Sequence, residues 1–225
     1  RTTRMQVPAE VSTSFLSLMS LALPLMGNRL ILNLLAGAEA VWIPNRLQMS
    51  GLSDAEAFSV YGILTGMALP FILFPSAITN SIAVLLLPSV AKDQAEGHTE
   101  SISGSVAMAL RYSLYMGILC IGIFVLFGLP LGISVFKEEE AGRCMQILAW
   151  LCPFLYLGTT LASILNGLGK TFLVFLSNMA ALFIRFLFVL FVIPFSGIKG
   201  YLLGLLFSQL LHSLLLLFCL NRSLS

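Results

Sequence analysis

Arg29 and Asn33 are the side chains whose type and spacing most directly indicate a functional site. They lie four residues apart, and a helix places residues with that spacing on one face. Arg29 falls within an apolar run, Phe15 to Gly37, that is long enough to cross a bilayer. Because a charged side chain in such a run is costly, it usually faces a bundle interior or a wet cavity. We therefore expect Arg29 to contact a substrate, or else to be neutralised by Glu39 or by backbone carbonyls near Pro24.

Other polar side chains interrupt later apolar runs. Ser76 and Asn80 lie four residues apart in the second run, and Arg185 lies in the fifth. Within a membrane such side chains either bind a ligand or form hydrogen bonds with a neighbouring helix. Both interpretations stay open for Asn33, Ser76 and Asn80, and Arg185 is a second cationic candidate for substrate binding.

The sequence contains no clear pattern of a catalytic or metal site. Ser208 and His212 share a helix face, but no G-x-S-x-G motif lies within an apolar run. We interpret His212 as a helix-packing residue. The four cysteines form no C-x-x-C pair, so we expect them to be reduced and mostly buried. We predict that the chain is not an enzyme and that it uses no cofactor and no metal.

Composition indicates a polytopic membrane protein. Hydrophobic residues make up 58% of the 225 residues and charged residues only 10%, against roughly 25% charged in a soluble domain. The apolar runs recur to the end of the chain, so a cleaved signal peptide does not account for them. A net charge of +2 with scattered basic residues argues against nucleic acid as a partner and leaves the lipid bilayer as the expected surroundings.

The predicted fold is all-α, a bundle of six membrane-spanning helices that forms a single lobe over residues 1–225. The predicted spans cover about 10–42, 57–91, 105–127, 143–167, 171–193 and 197–220. Proline removes a backbone hydrogen bond and bends a helix, so we predict hinges at Pro24, Pro70 and Pro75. Residues 44–56 and 92–104 are predicted loops, and Gly128 with Pro130 should end the third span.

Loop charges favour a cytoplasmic N-terminus, because cytoplasmic loops carry an excess of lysine and arginine. That side would hold six such residues and the other side four. The six are Arg1, Arg4, Lys92, Arg111, Lys170 and Arg222. In this topology the first and fifth spans run in the same direction, and we expect Arg29 and Arg185 at similar depth in the membrane.

The second predicted span resembles a known family of membrane proteins. Tyr61 to Ala91, YGILTGMALPFILFPSAITNSIAVLLLPSVA, is similar to the second helix of the C-terminal lobe of bacterial polysaccharide flippases. These proteins form part of the multidrug/oligosaccharidyl-lipid/polysaccharide exporter superfamily, and the likeness is strongest to its stage V sporulation protein B-like branch. Further matches are IPNRLQMSGLS at 43–53, LNGLGK at 165–170 and GIKGYLLG at 197–204.

The resemblance implies one lobe, the second, of a two-lobe transporter. Such proteins move lipid-linked sugars for the cell envelope across the bacterial cytoplasmic membrane by alternating access. The partner implied is therefore an N-terminal lobe, either in the same protein or in a separate chain. The substrate would be anionic because lipid-linked sugars carry pyrophosphate, and Arg29 would hold that phosphate through its planar, permanently charged fork.

Two other functions fit the same composition. A cation-coupled multidrug antiporter of the same superfamily needs carboxylates deep in the membrane, whereas here the acids lie near predicted span ends or in loops. A non-transporting membrane scaffold has little reason to carry Arg29 within a span. We therefore favour transport of an anionic lipid-linked substrate.

Overall fold

The computed structural model describes the backbone of residues 9–96 and 99–224 and, from residue 26 onward, most of their side chains. These residues are helical almost throughout, with no strand among them. The α-helices in chain order are α1 (Ala9–Met49), α2 (Asp54–Ile63), α3 (Leu69–Leu73), α4 (Ser76–Glu96), α5 (Thr99–Leu131), α6 (Glu139–Leu148), α7 (Cys152–Gly167), α8 (Thr171–Phe191), α9 (Ile193–Ser196) and α10 (Ile198–Leu224).

The predicted class is confirmed: the chain is an all-α polytopic membrane protein. In the described part, five helical segments are long and apolar enough to cross a bilayer. They are Asp54–Leu73, Ser101–Phe136, Glu139–Gly167, Thr171–Phe191 and Ile198–Ser223. Ser76–Val90 is a shorter apolar helix. The division of the whole chain into six spans stays a prediction.

The first helix is longer than predicted. We expected a loop to begin at Pro44, but α1 continues through it to Met49, and only a short connection precedes α2. Pro44 is buried, and its neighbours Ile43 and Leu47 belong to the main core cluster. Packing in this core outweighs the hydrogen bond that the proline removes. The predicted hinge at Pro24 lies within α1, and its side chain is outside the described residues.

The second predicted span is a broken helix. A π-helical turn, Leu64–Ala68, separates α2 from α3, and Phe74 and Pro75 separate α3 from α4. Pro70 lies in the first turn of α3, where its missing N–H costs little. The break at Pro75 interrupts the backbone ladder, and the Tyr156 hydroxyl donates to the Ile72 carbonyl at 2.7 Å. One side chain of α7 thus satisfies a carbonyl beside the break.

Two predicted interruptions are in fact helical. Most of the predicted loop 92–104 is helix, because α4 extends to Glu96 and α5 begins at Thr99. An exposed Lys92–Glu96 pair at 3.9 Å supports the end of α4. The expected end of the third span near Gly128 is also wrong: α5 continues to Leu131 and then makes a π-helical turn, Gly132–Phe136.

Glycine contacts explain why α5 continues. A Cβ at Gly132 would overlap the backbone of Gly142 on α6, and a Cβ at Gly142 would lie 2.8 Å from the Leu129 Cα. These glycines therefore permit the close approach of α5 and α6. The helical backbone also satisfies its own hydrogen bonds within the membrane, which a loop could not do.

The helices pack around two buried clusters. The larger joins the end of α1, the broken helix and α5 to α10, and it includes Ile43, Ile72, Met145 and Tyr156. The smaller lies between α4, α5, α7, α8 and α10 and includes Leu161 and Leu216. The described side chains of α1 before Ile43 lie outside both clusters, and Leu34 among them is exposed.

Candidate functional site

Arg29 and Asn33 lie on an exposed part of α1. Both side chains are exposed, and so is Ala36 on the same helix face. Among the residues that the structure describes, Arg29 forms no hydrogen bond or ion pair. Its guanidinium is therefore available to a ligand or to solvent. Whether Arg29 and Asn33 bind substrate stays a prediction.

Arg185 has the opposite environment, because it forms an ion pair with Glu39. Arg185 Nε donates to Glu39 Oε1 and Nη2 donates to Glu39 Oε2, both at 2.5 Å. The pair connects α8 to α1, and the Glu39 side chain is only 6% exposed. Two parallel hydrogen bonds of this kind give the strongest geometry for an arginine and a carboxylate. Glu39, our expected alternative partner for Arg29, is thus occupied by Arg185.

Tyrosines and aromatic rings surround this ion pair. Tyr61 on α2 and Tyr201 on α10 lie near both members of the pair. Four helical elements therefore meet around one ion pair. Nearby, the Trp42 and Phe186 rings lie 5.7 Å apart, which packs α1 against α8. The ion pair is consequently part of a packed junction.

An apolar groove opens beside the ion pair between α1 and α8. Its volume is about 220 Å³. Leu35, Ala38, Glu39 and Trp42 line it from α1, and Met179, Leu182, Phe183 and Phe186 line it from α8. Glu39 is the one charged residue among these lining residues, and its carboxylate is engaged by Arg185. The groove therefore suits an alkyl chain better than a charged group.

The prediction that Arg29 and Arg185 lie at similar depth is wrong. Arg185 contacts Glu39, which follows Arg29 by ten residues, or about 15 Å along a helix. The error arises because the packing register of α8 against α1, not the midpoint of each predicted span, determines which residues lie level, and Arg185 lies level with Glu39. Arg29 lies at the midpoint of α1, 20 residues from Ala9 and 20 residues from Met49.

Ser76 and Asn80 lie near the break in the second span. The Ser76 hydroxyl donates to the Leu73 carbonyl at 2.6 Å, next to Pro75. Asn80 is exposed and accepts a hydrogen bond from Ser163 on α7 at 3.0 Å. No hydrogen bond or ion pair among the described residues joins either side chain to Arg29 or Asn33. Their role in substrate binding stays a prediction, and Asn80 makes one of the expected interhelical contacts.

Pro70 and Pro75 coincide with real interruptions of the helix. Pro70 directly follows the π-helical turn, and Pro75 lies between α3 and α4. A π-helical turn inside a helix often marks a functional site. These are plausible positions for bending, and motion at them stays a prediction.

The Ser208 and His212 pair does not form a catalytic dyad here. The Ser208 hydroxyl donates to the Leu205 carbonyl at 3.0 Å. His212 is buried, and a Cβ added at Gly158 on α7 would lie 3.4 Å from its ring. The histidine thus packs α10 against α7, as predicted. The cysteines are free, and Cys120, Cys144 and Cys152 are buried while Cys219 is half-buried.

Sequence reasoning missed the pairing of Arg185 with Glu39. The two residues are 146 positions apart, so no local spacing indicates the contact. A usable signal was nevertheless present. Glu39 is the acid closest to the apolar part of the first span, and Arg185 is the one charged residue in its own span. A buried charge needs a partner of opposite sign, and these two charges complement each other.

Comparison with known proteins confirms the predicted resemblance. The chain is 26% identical to Stage V sporulation protein B of Bacillus subtilis (strain 168) over 204 residues, which is 90% of this chain and 39% of that protein. It is 24% identical to Sporulation protein YkvU of the same organism over 131 residues, 58% of this chain and 29% of that protein. No protein-family model and no solved structure matches the chain. The chain spans well under half the length of these two relatives.

Proposed function

We propose that this chain is one lobe of a transporter that moves a lipid-linked, anionic sugar across the bacterial cytoplasmic membrane. Its similarity to Stage V sporulation protein B extends over 90% of the chain. The cell-envelope substrate follows from the family resemblance of the second span. Transport proceeds by alternating access, and no covalent bond is made or broken.

One observation carries the proposal: Arg29 is exposed and unpaired among the described residues of a membrane-length helix. An arginine in a membrane is costly when it is buried without a partner and also when it faces lipid. An exposed arginine with no described partner therefore indicates a wet cavity or an anionic ligand. Glu39, the nearest candidate counter-ion in the sequence, is occupied by Arg185. A phosphate or pyrophosphate group is a suitable partner because it accepts two hydrogen bonds from one guanidinium.

The other predicted residues would assist this contact. Asn33 lies on the same face as Arg29 and would donate to a phosphate or sugar oxygen. Ser76 and Asn80 would contact the substrate from the second span as it moves. Bending at Pro70 and Pro75, and at Pro24 on α1, would change which side of the membrane the cavity faces. The Arg185–Glu39 pair would hold the C-terminal half of α1 to the bundle during that motion.

A cation-coupled multidrug antiporter is the second candidate, and Glu39 is the observation in its favour. Because α1 extends to Met49, Glu39 lies deeper within the helix than we expected, and its residue is 4% exposed. A buried carboxylate can bind a proton or a cation. However, its two oxygens accept hydrogen bonds from Arg185, which leaves less capacity for a transported cation. The anionic substrate is therefore favoured.

A flipping assay on the intact natural protein tests the proposed function. The protein is placed in vesicles with a fluorescent lipid-linked sugar pyrophosphate, and transport is followed as exposure of the fluorophore to an external quencher. We expect Arg29→Ala to slow transport at limiting substrate roughly tenfold to a hundredfold, which corresponds to a net loss of about 1.5–3 kcal/mol, the usual contribution of one hydrogen bond to a charged group. Arg29→Lys should keep an intermediate rate, since lysine retains the charge but not the fork.

Arg111→Ala is the matched control, because Arg111 is also an exposed arginine but lies on α5. It should transport at the wild-type rate. The substrate separates the two candidate functions: the proposed flippase moves the lipid-linked sugar pyrophosphate, whereas an antiporter would move a cationic drug and only when a proton or sodium gradient is imposed. Wild-type transport by Arg29→Ala would refute the phosphate contact.

A further inference from the structure

Two exposed cations lie together at one end of the bundle, away from the residues discussed above. Lys170 directly precedes α8, and Arg222 lies in the last turn of α10. Both line one cleft of about 370 Å³, together with Ser223, and no acidic residue is among its lining residues. Neither cation forms an ion pair with any residue that the structure describes. The cleft therefore presents two positive charges to a ligand.

The start of α8 increases this positive potential. α8 begins at Thr171 without a side-chain cap on its first N–H groups. Free N–H groups at the start of a helix carry a partial positive charge. Like the two cations, they favour an anion with several acceptor oxygens, such as a phosphate.

An apolar groove adjoins this charged cleft. The groove lies between α5 and α10, has a volume of about 470 Å³, and shares Phe218 with the cleft. Val106 and Leu110 line it from α5, and Leu214 and Leu217 line it from α10. Leu214 lies eight residues before Arg222, about 12 Å along the helix. The groove thus runs from the charged end of the bundle toward its middle.

We propose that this charged cleft and apolar groove together bind an anionic bilayer phospholipid. Lys170 and Arg222 hold the headgroup phosphate, and an acyl chain lies along the α5–α10 groove beside Phe218. A free phosphate would use the cleft alone, whereas a phospholipid uses both surfaces. The predicted topology puts these cations on the cytoplasmic side, whose leaflet is rich in anionic lipid. This inference is independent of the transport proposed above, because binding requires no transport cycle.

Native mass spectrometry of the intact natural protein in detergent tests the proposal. Affinities are measured for phosphatidylglycerol and for phosphatidylcholine of the same chain length. We expect Lys170→Gln/Arg222→Gln to weaken phosphatidylglycerol binding about thirtyfold, from the usual contribution of two cations at a membrane surface. Phosphatidylcholine binding should change less than threefold. The control Arg46→Gln/Lys199→Gln removes the same charge from other positions and should leave both affinities unchanged.

A second variant tests the acyl chain while both cations remain. Leu217→Trp fills the groove, and we expect it to weaken phosphatidylglycerol binding at least fivefold. Equal phosphatidylglycerol affinity in the wild type and the Lys170→Gln/Arg222→Gln protein would overturn the proposal. So would displacement of the lipid by millimolar inorganic phosphate with no effect of Leu217→Trp, because the cleft would then bind phosphate alone.

Discussion

Two neighbouring segments of α1, residues 29–34 and residues 39–43, carry charges of opposite sign in opposite environments. In the first segment, Arg29 and Asn33 are exposed, and Leu34 beside them is 73% exposed. In the second segment, Glu39 is 4% exposed and Ile43 is 1% exposed. The second segment therefore packs in the bundle, whereas the first contributes exposed surface. The difference separates an acid that is paired inside the bundle from a cation with no partner among the described residues.

The buried segment also shows what a membrane bundle requires of a charged residue. Arg185 and Glu39 satisfy each other through two hydrogen bonds, with two tyrosines nearby. Arg29 has no such arrangement among the described residues. If this contrast is correct, substitutions in the two segments should affect different properties. The predictions below are ordered from the largest expected effect on stability to the smallest.

Arg185→Ala should cause the largest loss of stability. Removing one partner leaves the Glu39 carboxylate buried and unpaired, which typically costs about 3–5 kcal/mol. The free energy of unfolding in a defined detergent measures this loss. Arg143→Ala is the control, because Arg143 pairs with Glu139 at 2.7 Å but both side chains are more than half exposed. The Arg143→Ala substitution should lower the free energy of unfolding by about 1 kcal/mol or less.

Replacing both members of the buried pair sharpens the same test. The variant Glu39→Met/Arg185→Met leaves no unpaired charge, so it should be more stable than Arg185→Ala alone. A double variant that is as unstable as the sum of the two single variants would show that the residues act separately. The proposed structural role of the buried segment of α1 would then fail.

Tyr156→Phe should have an intermediate effect. The change removes the donor to the Ile72 carbonyl and leaves that buried carbonyl beside the break at Pro75 without this bond, at a cost of about 1–3 kcal/mol. Hydrogen exchange should also increase in α3 and at the start of α4. Tyr115→Phe, whose side chain is 65% exposed, provides the control and should change neither quantity. Unchanged exchange in Tyr156→Phe would mean that the hydroxyl does not stabilise the broken helix.

Arg29→Ala should have the smallest effect on stability. An exposed side chain with no described partner should change the free energy of unfolding by about 0.5 kcal/mol or less. The same unfolding measurement used for Arg185→Ala applies here. A loss of several kcal/mol would show that Arg29 is a structural residue, and the functional half of the contrast would fail.

The sequence predicted the class of the molecule well because apolar length and proline position are local properties. The membrane helices, the broken second span near Pro70 and Pro75, and the packing role of His212 all follow from short stretches of chain. Helix ends were less predictable. Pro44 and Gly128 are usually found at helix ends, yet here tertiary packing of Ile43 and the close approach of Gly142 keep both helices continuous.

The candidate site was only partly predictable, for a different physical reason. Arg29 and Asn33 share a face through local spacing, and both are exposed, while their binding of a substrate stays a prediction. The Arg185–Glu39 contact depends on how α8 packs against α1, which no single segment specifies. The charged cleft at Lys170 and Arg222 likewise forms only because the start of α8 meets the end of α10. Long-range packing therefore determined which charges were neutralised and which stayed free.

Aqueous accessibility of Arg29 tests the central claim most directly. Single cysteines are placed at Arg29, Asn33 or Leu34 of the intact natural protein in membranes, with Cys219 replaced by alanine because the other three native cysteines are buried. A membrane-impermeant, anionic thiol reagent is then added from each side. We predict that Arg29→Cys and Asn33→Cys react at least tenfold faster than Leu34→Cys, which is exposed but lies on another face. Equal, slow reaction at all three positions would contradict the account, because Arg29 would then face lipid.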